Sequence, residues 1–513
     1  MNRMRGVIKI VAKWFSIPWY FLVFSAYPIL ALLAFNVGQV KVVSGWRPFV
    51  LSILFSGLLF LPLQLFLRNA YRAAFLTTLW LALFFSYGHI YLKLAEKWGK
   101  INLTPYMLTA WFVLAVLFAV WVTRPRFAFR DAALALNVVA LGLVITSLVQ
   151  LNSSVPKRNG HYVAAKNAPL QNLTRPQNPP DVYYFILDMY TRADLLKQAY
   201  NYDNSSFIHD LESRGFYVAQ CSQSNYTRTE ISLTSSLNLS YLQGLDPKFD
   251  DPQSISRTKL WDALKHNAVR YQLESLGYKT ISFANGFAWS EWDDADLFLT
   301  PPPFSSGITE FEILFMQTTL ARTIEDFGWL DFDQISGQNF RDRDMTVFHS
   351  MKRIAKMPGP KFVYTHMIMP HPPFVFGPQG EYTDPAEFWN DKKQYPAGKF
   401  ERGYTNQVTF LNHQLLDMID TILAESKTPP IIILQGDHGP WLQPNPQHFF
   451  ILNAYYLPDH NDQLYPQMSP VNSFRYIFNS YFGGKYNMLP DITYFSPVPK
   501  LYNFSVVENP CRK

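Results

Sequence analysis

The sequence predicts a bundle of five membrane-spanning α-helices followed by an α/β domain with a mostly parallel central sheet. Three observations carry this. Charged residues make up only 16 % of the 513 residues, against about 25 % in ordinary soluble proteins, and the shortage falls mainly in the first 150. Long apolar runs there alternate with short basic clusters. Beyond residue 180 the pattern changes to short apolar runs separated by helix-like stretches.

The apolar runs cover Phe15–Phe35, Pro48–Leu67, Ala73–Leu92, Tyr106–Val122 and Ala132–Leu151, each near the ~20 residues that a bilayer requires. The first follows Arg3, Arg5, Lys9 and Lys13. It is too long for a signal peptide and no A-x-A site follows it, so it reads as a retained span. Lys and Arg number nine in the N-terminal tail, second loop and fourth loop, against five in the other two loops. That excess places the N-terminus in the cytoplasm and everything after Leu151 outside. The net charge of +6 therefore belongs to membrane topology and gives no reason to expect nucleic acid. Asp, Glu, Lys and Arg are missing from the span centres, which removes the usual mark of an ion path. The spans read as an anchor, residues 1–151, in an inner or plasma membrane.

Residues 152–180 contain Pro156, Pro169, Pro176, Pro179 and Pro180 and show no periodicity; they read as a linker. Residues 181–513 then form the outer domain. Its strands are expected at "VYYFIL" (182–187), "YKTISFA" (278–284), "KFVYTHMIM" (361–369) and "PIIILQ" (430–435). Helical stretches at 193–200, 205–214, 231–241, 260–276, 343–356 and 401–425 separate them. Apolar strands alternating with helices argue for a parallel sheet covered on both faces. Cys221 and Cys511 form no C-x-x-C pair, so no thiolate metal site is expected. An oxidising compartment would permit one bridge between them, which the sequence neither requires nor positions.

In open α/β sheets, ligands bind beyond the carboxyl ends of the strands. Asp188 directly follows the first strand, and Asp437-His438 directly follow "PIIILQG". Two strands thus bring carboxylates and an imidazole to one sheet edge, a rigid mount for a divalent metal. A further oxygen is available from Thr229, at the start of the helical stretch after "SNYTRTE". An isolated Thr there is ordinarily an N-cap. A helix N-terminus also favours phosphate or sulfate, and a metal would make the hydroxyl a nucleophile.

The segments "FILDMY", "TRTEISLTSSLN", "THMIMPHPPFVF" and "ILQGDHGP" resemble the sulfatase-like branch of the alkaline phosphatase superfamily. With the spans added, the chain is similar to lipoteichoic acid synthases and phosphoethanolamine transferases. The resemblance implies a metal held by Asp188, Thr229, Asp437 and His438. It also implies that Thr229 is the nucleophile, with Ser232 three residues on, and that His371 faces the transferred group or the leaving oxygen. His366, His448 and Arg228 are secondary candidates for substrate contact. Two departures matter. Cys221 is followed by Ser-Gln-Ser-Asn, not by the C/S-x-P-x-R segment of true sulfatases, and Met189 stands where sulfatases commonly have a second acidic residue.

The expectation is a ping-pong transfer. One divalent ion, zinc or manganese, is held at the site; a membrane lipid is the donor, and a glycan, a lipid or water is the acceptor. The alternatives are a sulfuric ester hydrolase or phosphodiesterase acting on glycan esters, and a non-catalytic, metal-stabilised module that binds anionic envelope polymers.

Overall fold

The structure, a computed structural model, describes residues 16–36, 39–98, 102–124, 129–154, 167–302, 307–388, 395–396, 398–441, 446–498 and 500–511. The chain divides into two compact units. One holds the N-terminal residues through Lys157 together with Gly307–Ser336; the other holds Arg158–Ser306 and Gly337–Lys513.

The first unit contains α1 (Tyr20–Phe35), α2 (Trp46–Leu67), α3 (Ala70–Trp98), α4 (Thr104–Thr123) and α5 (Phe129–Ser154). Among the described residues four helices, α2 to α5, are long and apolar enough to cross a membrane. The fifth expected span, Phe15–Phe35, is not confirmed among the described residues. α1 begins after Pro18 and has 16 residues, about 24 Å at 1.5 Å per residue, short of a hydrocarbon core of roughly 30 Å. A proline lacks the N–H that a helix needs and biases the preceding residue away from helical backbone. Phe15 and the basic tail used for the orientation lie outside the described residues.

The first unit also contains a return of the chain that the hydropathy pattern did not indicate. A short helix, Glu310–Thr318, starts with a reciprocal cap. Thr309 Oγ1 accepts from the Glu312 N–H, and the Glu312 carboxylate accepts from the Thr309 N–H. Phe311 packs with Ile29, Leu33, Leu81 and Phe85. Arg47 donates through Nη2 to Glu312 Oε2 at 2.5 Å and to the Gly307 carbonyl at 3.0 Å. Thr104 Oγ1 donates to Asp326 Oδ2 at 2.8 Å, and the Arg322 guanidinium lies over the Tyr91 ring. These contacts fall at the start of α2, the end of α3 and the start of α4. Alternating chain direction makes that the end of the bundle at which α5 finishes.

The second unit is organised by a seven-stranded sheet in the order β2-β7-β6-β1-β5-β3-β4. Its strands are β1 (Val182–Leu187), β2 (Tyr217–Val218), β3 (Lys279–Phe283), β4 (Leu297–Leu299), β5 (Lys361–Met367), β6 (Ile431–Gly436) and β7 (Asn453–Tyr456). β4, β3, β5, β1 and β6 run parallel, while β7 is antiparallel to β6 and to β2. β1 is central and all six of its residues are buried. Tyr183, Phe185 and Leu187 enter one apolar core; Val182, Tyr184 and Ile186 enter the other. The period-two alternation of a strand therefore produces a continuous apolar run here, because both faces are covered. The helix Lys399–Glu425 covers the first face with Tyr404, Val408, Leu411, Leu415, Ile419 and Ile422. The helix Pro470–Phe482 covers the second with Phe474, Ile477, Phe478 and Phe482. A small hairpin pairs β8 (Thr493–Phe495) with β9 (Ser505–Val507).

Several expectations shift at their edges. The stretch 260–276 is two helices, Thr258–Lys265 and Ala268–Ser275. The break comes at Asn267, whose side chain accepts from the Arg270 N–H as an N-cap. Part of the segment expected to be a linker, 155–166, lies outside the described residues. Residues 152–154 end α5, and residues 167–180 pack on the outer domain, with the Thr174 N–H donating to the Phe482 carbonyl and Tyr278 Oη to the Pro180 carbonyl. Cys221 and Cys511, 290 residues apart, are joined in a disulfide.

Candidate metal centre and active site

Register brings the site together. Leu187 of β1 lies opposite Gly436 of β6, so the residues that follow, Asp188 and Asp437, leave neighbouring strands side by side. Ile186 lies opposite His366 of β5. Because side chains alternate, Asp188 shares a face with Ile186 and therefore with His366. The glycines around Asp437-His438 have a steric reason. A Cβ on Gly436 would collide with the Tyr190 carbonyl, and one on Gly439 would come within 2.8 Å of the His448 and Phe450 carbonyls. The pair sits in a backbone crevice that only glycines can flank. Met189, with φ of 69°, takes the left-handed turn that aims its N–H at Asp437.

The helix Thr229–Leu237, α6, supplies the hydroxyl. Arg228 occupies the cap position without a side-chain cap bond, and Thr229 is the first helical residue. Its hydroxyl is therefore not spent on capping and lies 3.4 Å from His438 Nε2. Ser232, one turn on and on the same face, donates to the Asp437 carbonyl at 2.7 Å. This bond ties the start of α6 to the end of β6.

Around His438 Nε2 stand Thr229 Oγ1 at 3.4 Å, Asp437 Oδ2 at 3.6 Å and Asp188 Oδ1 at 3.7 Å. Asp437 Oδ1 accepts from the Met189 and His438 N–H groups, while among the described residues Oδ2 accepts nothing and Asp188 Oδ1 is also buried without a donor. Buried carboxylate oxygens without donors are costly unless a cation meets them. A tetrahedral cation with bonds of about 2.0–2.1 Å spaces its ligands roughly 3.3–3.4 Å apart, close to these separations. The three separations from His438 Nε2 thus suit a divalent ion shared with Thr229, Asp437 and Asp188. A ligand atom of His366 also lies within 4.8 Å of ligand atoms of Asp188 and Asp437.

Hydrogen bonds assign each imidazole a separate task. His438 Nδ1 is 2.8 Å from the Gly439 carbonyl. Only a protonated Nδ1 satisfies that oxygen, so Nε2 presents a lone pair to the cluster. His366 is the reverse. The Phe287 N–H donates to Asn285 Oδ1, which turns Asn285 Nδ2 toward His366 Nδ1 at 3.0 Å. Nδ1 is then the acceptor and the proton sits on Nε2, 3.4 Å from Asp188 Oδ2. His366 Nε2 thus faces the Asp188 carboxylate but makes no hydrogen bond among the described residues. His371 holds the Pro372 carbonyl through Nδ1 at 2.5 Å, its ring lies beside Trp441, and its N–H donates to the Asp188 carbonyl. His448 donates from Nε2 to the Thr227 carbonyl at 2.9 Å, bracing the chain two residues before Thr229.

Charge follows the same division. Burial would push the Asp188 carboxyl up, but His371, His366 and His438 outweigh it and hold it down at about 2. Burial opposes charging of His438, yet Asp437 and Asp188 outweigh burial and raise its pKa. His448 is pushed down to about 4, chiefly by burial and then by His438, so it is neutral near pH 7. Arg228 is lowered, chiefly by burial; its buried Nη2 meets no acceptor among the described residues. Asn285 escaped sequence reasoning because it lies 81 residues from His366. Its one signal is the place it occupies, two residues after β3, at the same sheet edge.

No known family model matches the sequence, and no curated protein does. Among solved structures, the chain is similar to the C-terminal periplasmic domain of EcEptC from Escherichia coli, with 14 % identity over 67 % of this chain and 96 % of that one and a TM-score of 0.43. It is similar to the integral membrane lipooligosaccharide phosphoethanolamine transferase A from Neisseria meningitidis, with 14 % identity, 86 % and 88 % coverage and a TM-score of 0.33. It is also similar to the lipoteichoic acid synthase LtaP from Listeria monocytogenes, with 12 % identity, 65 % and 80 % coverage and a TM-score of 0.34. These are the kinds of protein that the sequence motifs resemble. Likeness this distant says nothing about chemistry, which has to come from the side chains above.

Proposed function

We propose that the second unit is a metal-dependent enzyme that transfers or hydrolyses a phosphate-ester group through a covalent bond to Thr229, tethered to a membrane by the first. One observation carries this reading. A half-buried threonine hydroxyl, free of capping duty, faces an imidazole lone pair and two carboxylate oxygens that have no donors among the described residues. A bound divalent ion, zinc or manganese, would lower the pKa of that hydroxyl and offset charge on the phosphoryl oxygens.

The residues then divide the work. Thr229 Oγ1, its proton lost to water beforehand, attacks phosphorus, forming the Thr–O–P bond as the ester bond to the departing alcohol breaks. His371, protonated on Nε2, gives that proton to the leaving oxygen. In the second half Nε2 takes a proton from the incoming hydroxyl, whose oxygen displaces Thr229. Arg228 Nη2 pairs with a phosphoryl oxygen. A membrane lipid suits the donor role, because the chain carries its own membrane-spanning helices; a glycan, a lipid or water suits the acceptor role. The disulfide supports an oxidising compartment outside the cytosol, in agreement with the Lys and Arg bias.

The disulfide also argues against the sulfatase alternative, since Cys221 is bonded to Cys511 and is not available for oxidation to an aldehyde nucleophile. The test compares an aryl phosphodiester with an aryl sulfate, using full-length protein in detergent. Turnover of the phosphodiester that stops with chelator and returns with zinc or manganese is the expected result. Hydrolysis confined to the sulfate would replace this reading with the sulfatase one. In the same assay Asn285→Ala should slow phosphodiester turnover roughly tenfold or more, as loss of a residue behind a site imidazole does, with an unchanged melting curve. Full activity in Asn285→Ala would show that the His366 proton needs no fixed position.

A further inference from the structure

A second site lies in the first unit. Arg47, Pro48, Leu51, Ser52 and Phe55 of α2, Phe84 of α3, and residues of the segment Gly307–Met316 enclose a cavity of about 470 Å³, within the ~300–1,000 Å³ typical of small-molecule pockets. Its walls are mostly apolar, and its polar members gather around Arg47. We propose that this cavity seats one acyl chain of a diacyl phospholipid, with the lipid phosphate on Arg47. The inference rests on α2 lying in a bilayer and does not depend on the chemistry assigned to Thr229.

The occupant follows from depth and charge. α2 is long and apolar enough to span a membrane, and Leu51, Leu54 and Leu58 are each more than 60 % exposed. At that depth the surrounding solvent is acyl chains. Arg47, Leu51 and Phe55 stand on successive turns of one helix face, so the line from Arg47 to Phe55 runs about 12 Å along the axis. Arg47 lies at the helix start, where a span meets the headgroups. Among the described residues only its Nη2 is engaged, with Glu312 and Gly307. Nε and Nη1 each keep an N–H that a phosphate oxygen can accept singly, beside the Glu312 carboxylate that holds Nη2. The far wall comes from Phe315 and Met316 of the returning helix, and a methionine adapts readily to an acyl chain. A lipid in this place would bridge α2 and the returning segment, so the outer-leaflet lipid becomes part of how that segment is held.

The test uses full-length protein in nanodiscs containing a phospholipid with a photoactivatable diazirine in one acyl chain. Ethanolamine and glycerol headgroups form two arms, and diacylglycerol with the same chains forms a third. The expected result is label concentrated on residues 47–55 and 308–316 with both phospholipids, and roughly tenfold less with diacylglycerol. Leu51→Trp, at an exposed position that tolerates bulk, should cut the label on 308–316 about tenfold. Arg47→Gln should erase the preference for phospholipid over diacylglycerol. Label spread evenly over the lipid-facing surfaces of α2, α4 and α5 would overturn the proposal, as would equal labelling by diacylglycerol or no response to Leu51→Trp. If Arg47→Gln fails to fold, the headgroup arms in the unaltered protein still decide. Turnover of a water-soluble phosphodiester is read separately, so a failed lipid site and failed chemistry remain distinct.

Discussion

Thr229→Ala removes phosphodiester turnover and the covalent phosphoryl label on the protein together. The expected loss is roughly 10⁴- to 10⁶-fold, the range seen when an enzyme loses its covalent nucleophile. The fold should not suffer. Thr229 is the first residue of α6, makes no cap bond and is only half-buried, so the variant should melt within a few degrees of the unaltered protein. Thr229→Ser keeps the hydroxyl in place and should stay within about tenfold. Thr227→Ala is the decisive control. Thr227 Oγ1 faces Ser496 Oγ at 3.3 Å, and its carbonyl is held by His448, so the side chain is committed to structure and its loss should leave most of the rate. A large loss at Thr227 with a small one at Thr229 would move the nucleophile by two residues. Undiminished turnover in Thr229→Ala would remove the covalent route altogether.

The strands and the ends that carry Asp188 and Asp437 were legible because a parallel sheet buried on both faces writes itself as short, continuous apolar runs. β1 is the clearest case: its six residues supply both cores, and its bounds agree with the apolar run at 182–187. The antiparallel edge was not legible. β2 has two residues and β7 four, too few to show a period, and they pair only because β6 offers an edge. Of the expected first span, the described helix Tyr20–Phe35 is the part after Pro18, because hydropathy averages over a proline and the backbone does not. The return of Gly307–Ser336 to the membrane helices depends on contacts between residues far apart in sequence, such as Thr104 with Asp326, 222 apart, and Arg47 with Glu312, 265 apart, which no local pattern encodes. Within the site, residue types at strand ends indicated a metal, but the task of each histidine did not follow from sequence. His366 and His438 differ in which nitrogen carries the proton. That difference is set by Asn285 in one case and the Gly439 carbonyl in the other. His366 carried one further signal: counting by twos along β5 and β1, once their register is known, places it on the face of Asp188.

Asp437→Asn should empty the metal site while leaving its shape intact. An asparagine oxygen in place of Oδ1 can still accept from the Met189 and His438 N–H groups. The amide nitrogen then stands where Oδ2 was, and a pair of donors replaces an anionic acceptor beside His438 Nε2. Metal content of purified full-length protein should fall from about one ion per chain to a small fraction, with affinity lower by roughly 100-fold or more and turnover lost in step. The stability readout separates this from simple damage. Asp437 is fully buried, and among the described residues its Oδ2 has no donor, so in the unaltered protein without metal its charge is met only by two N–H groups on Oδ1 and by the nearby His438. Asp437→Asn removes that charge, and the metal-free variant should melt above the metal-free parent. Adding zinc or manganese at 100 times its dissociation constant should stabilise the parent by about 2.7 kcal/mol and leave the variant unmoved, so the order of the two melting curves reverses. Stoichiometric metal in Asp437→Asn, or a metal-free variant less stable than the metal-free parent, would mean that the two unpaired carboxylate oxygens are not waiting for a cation.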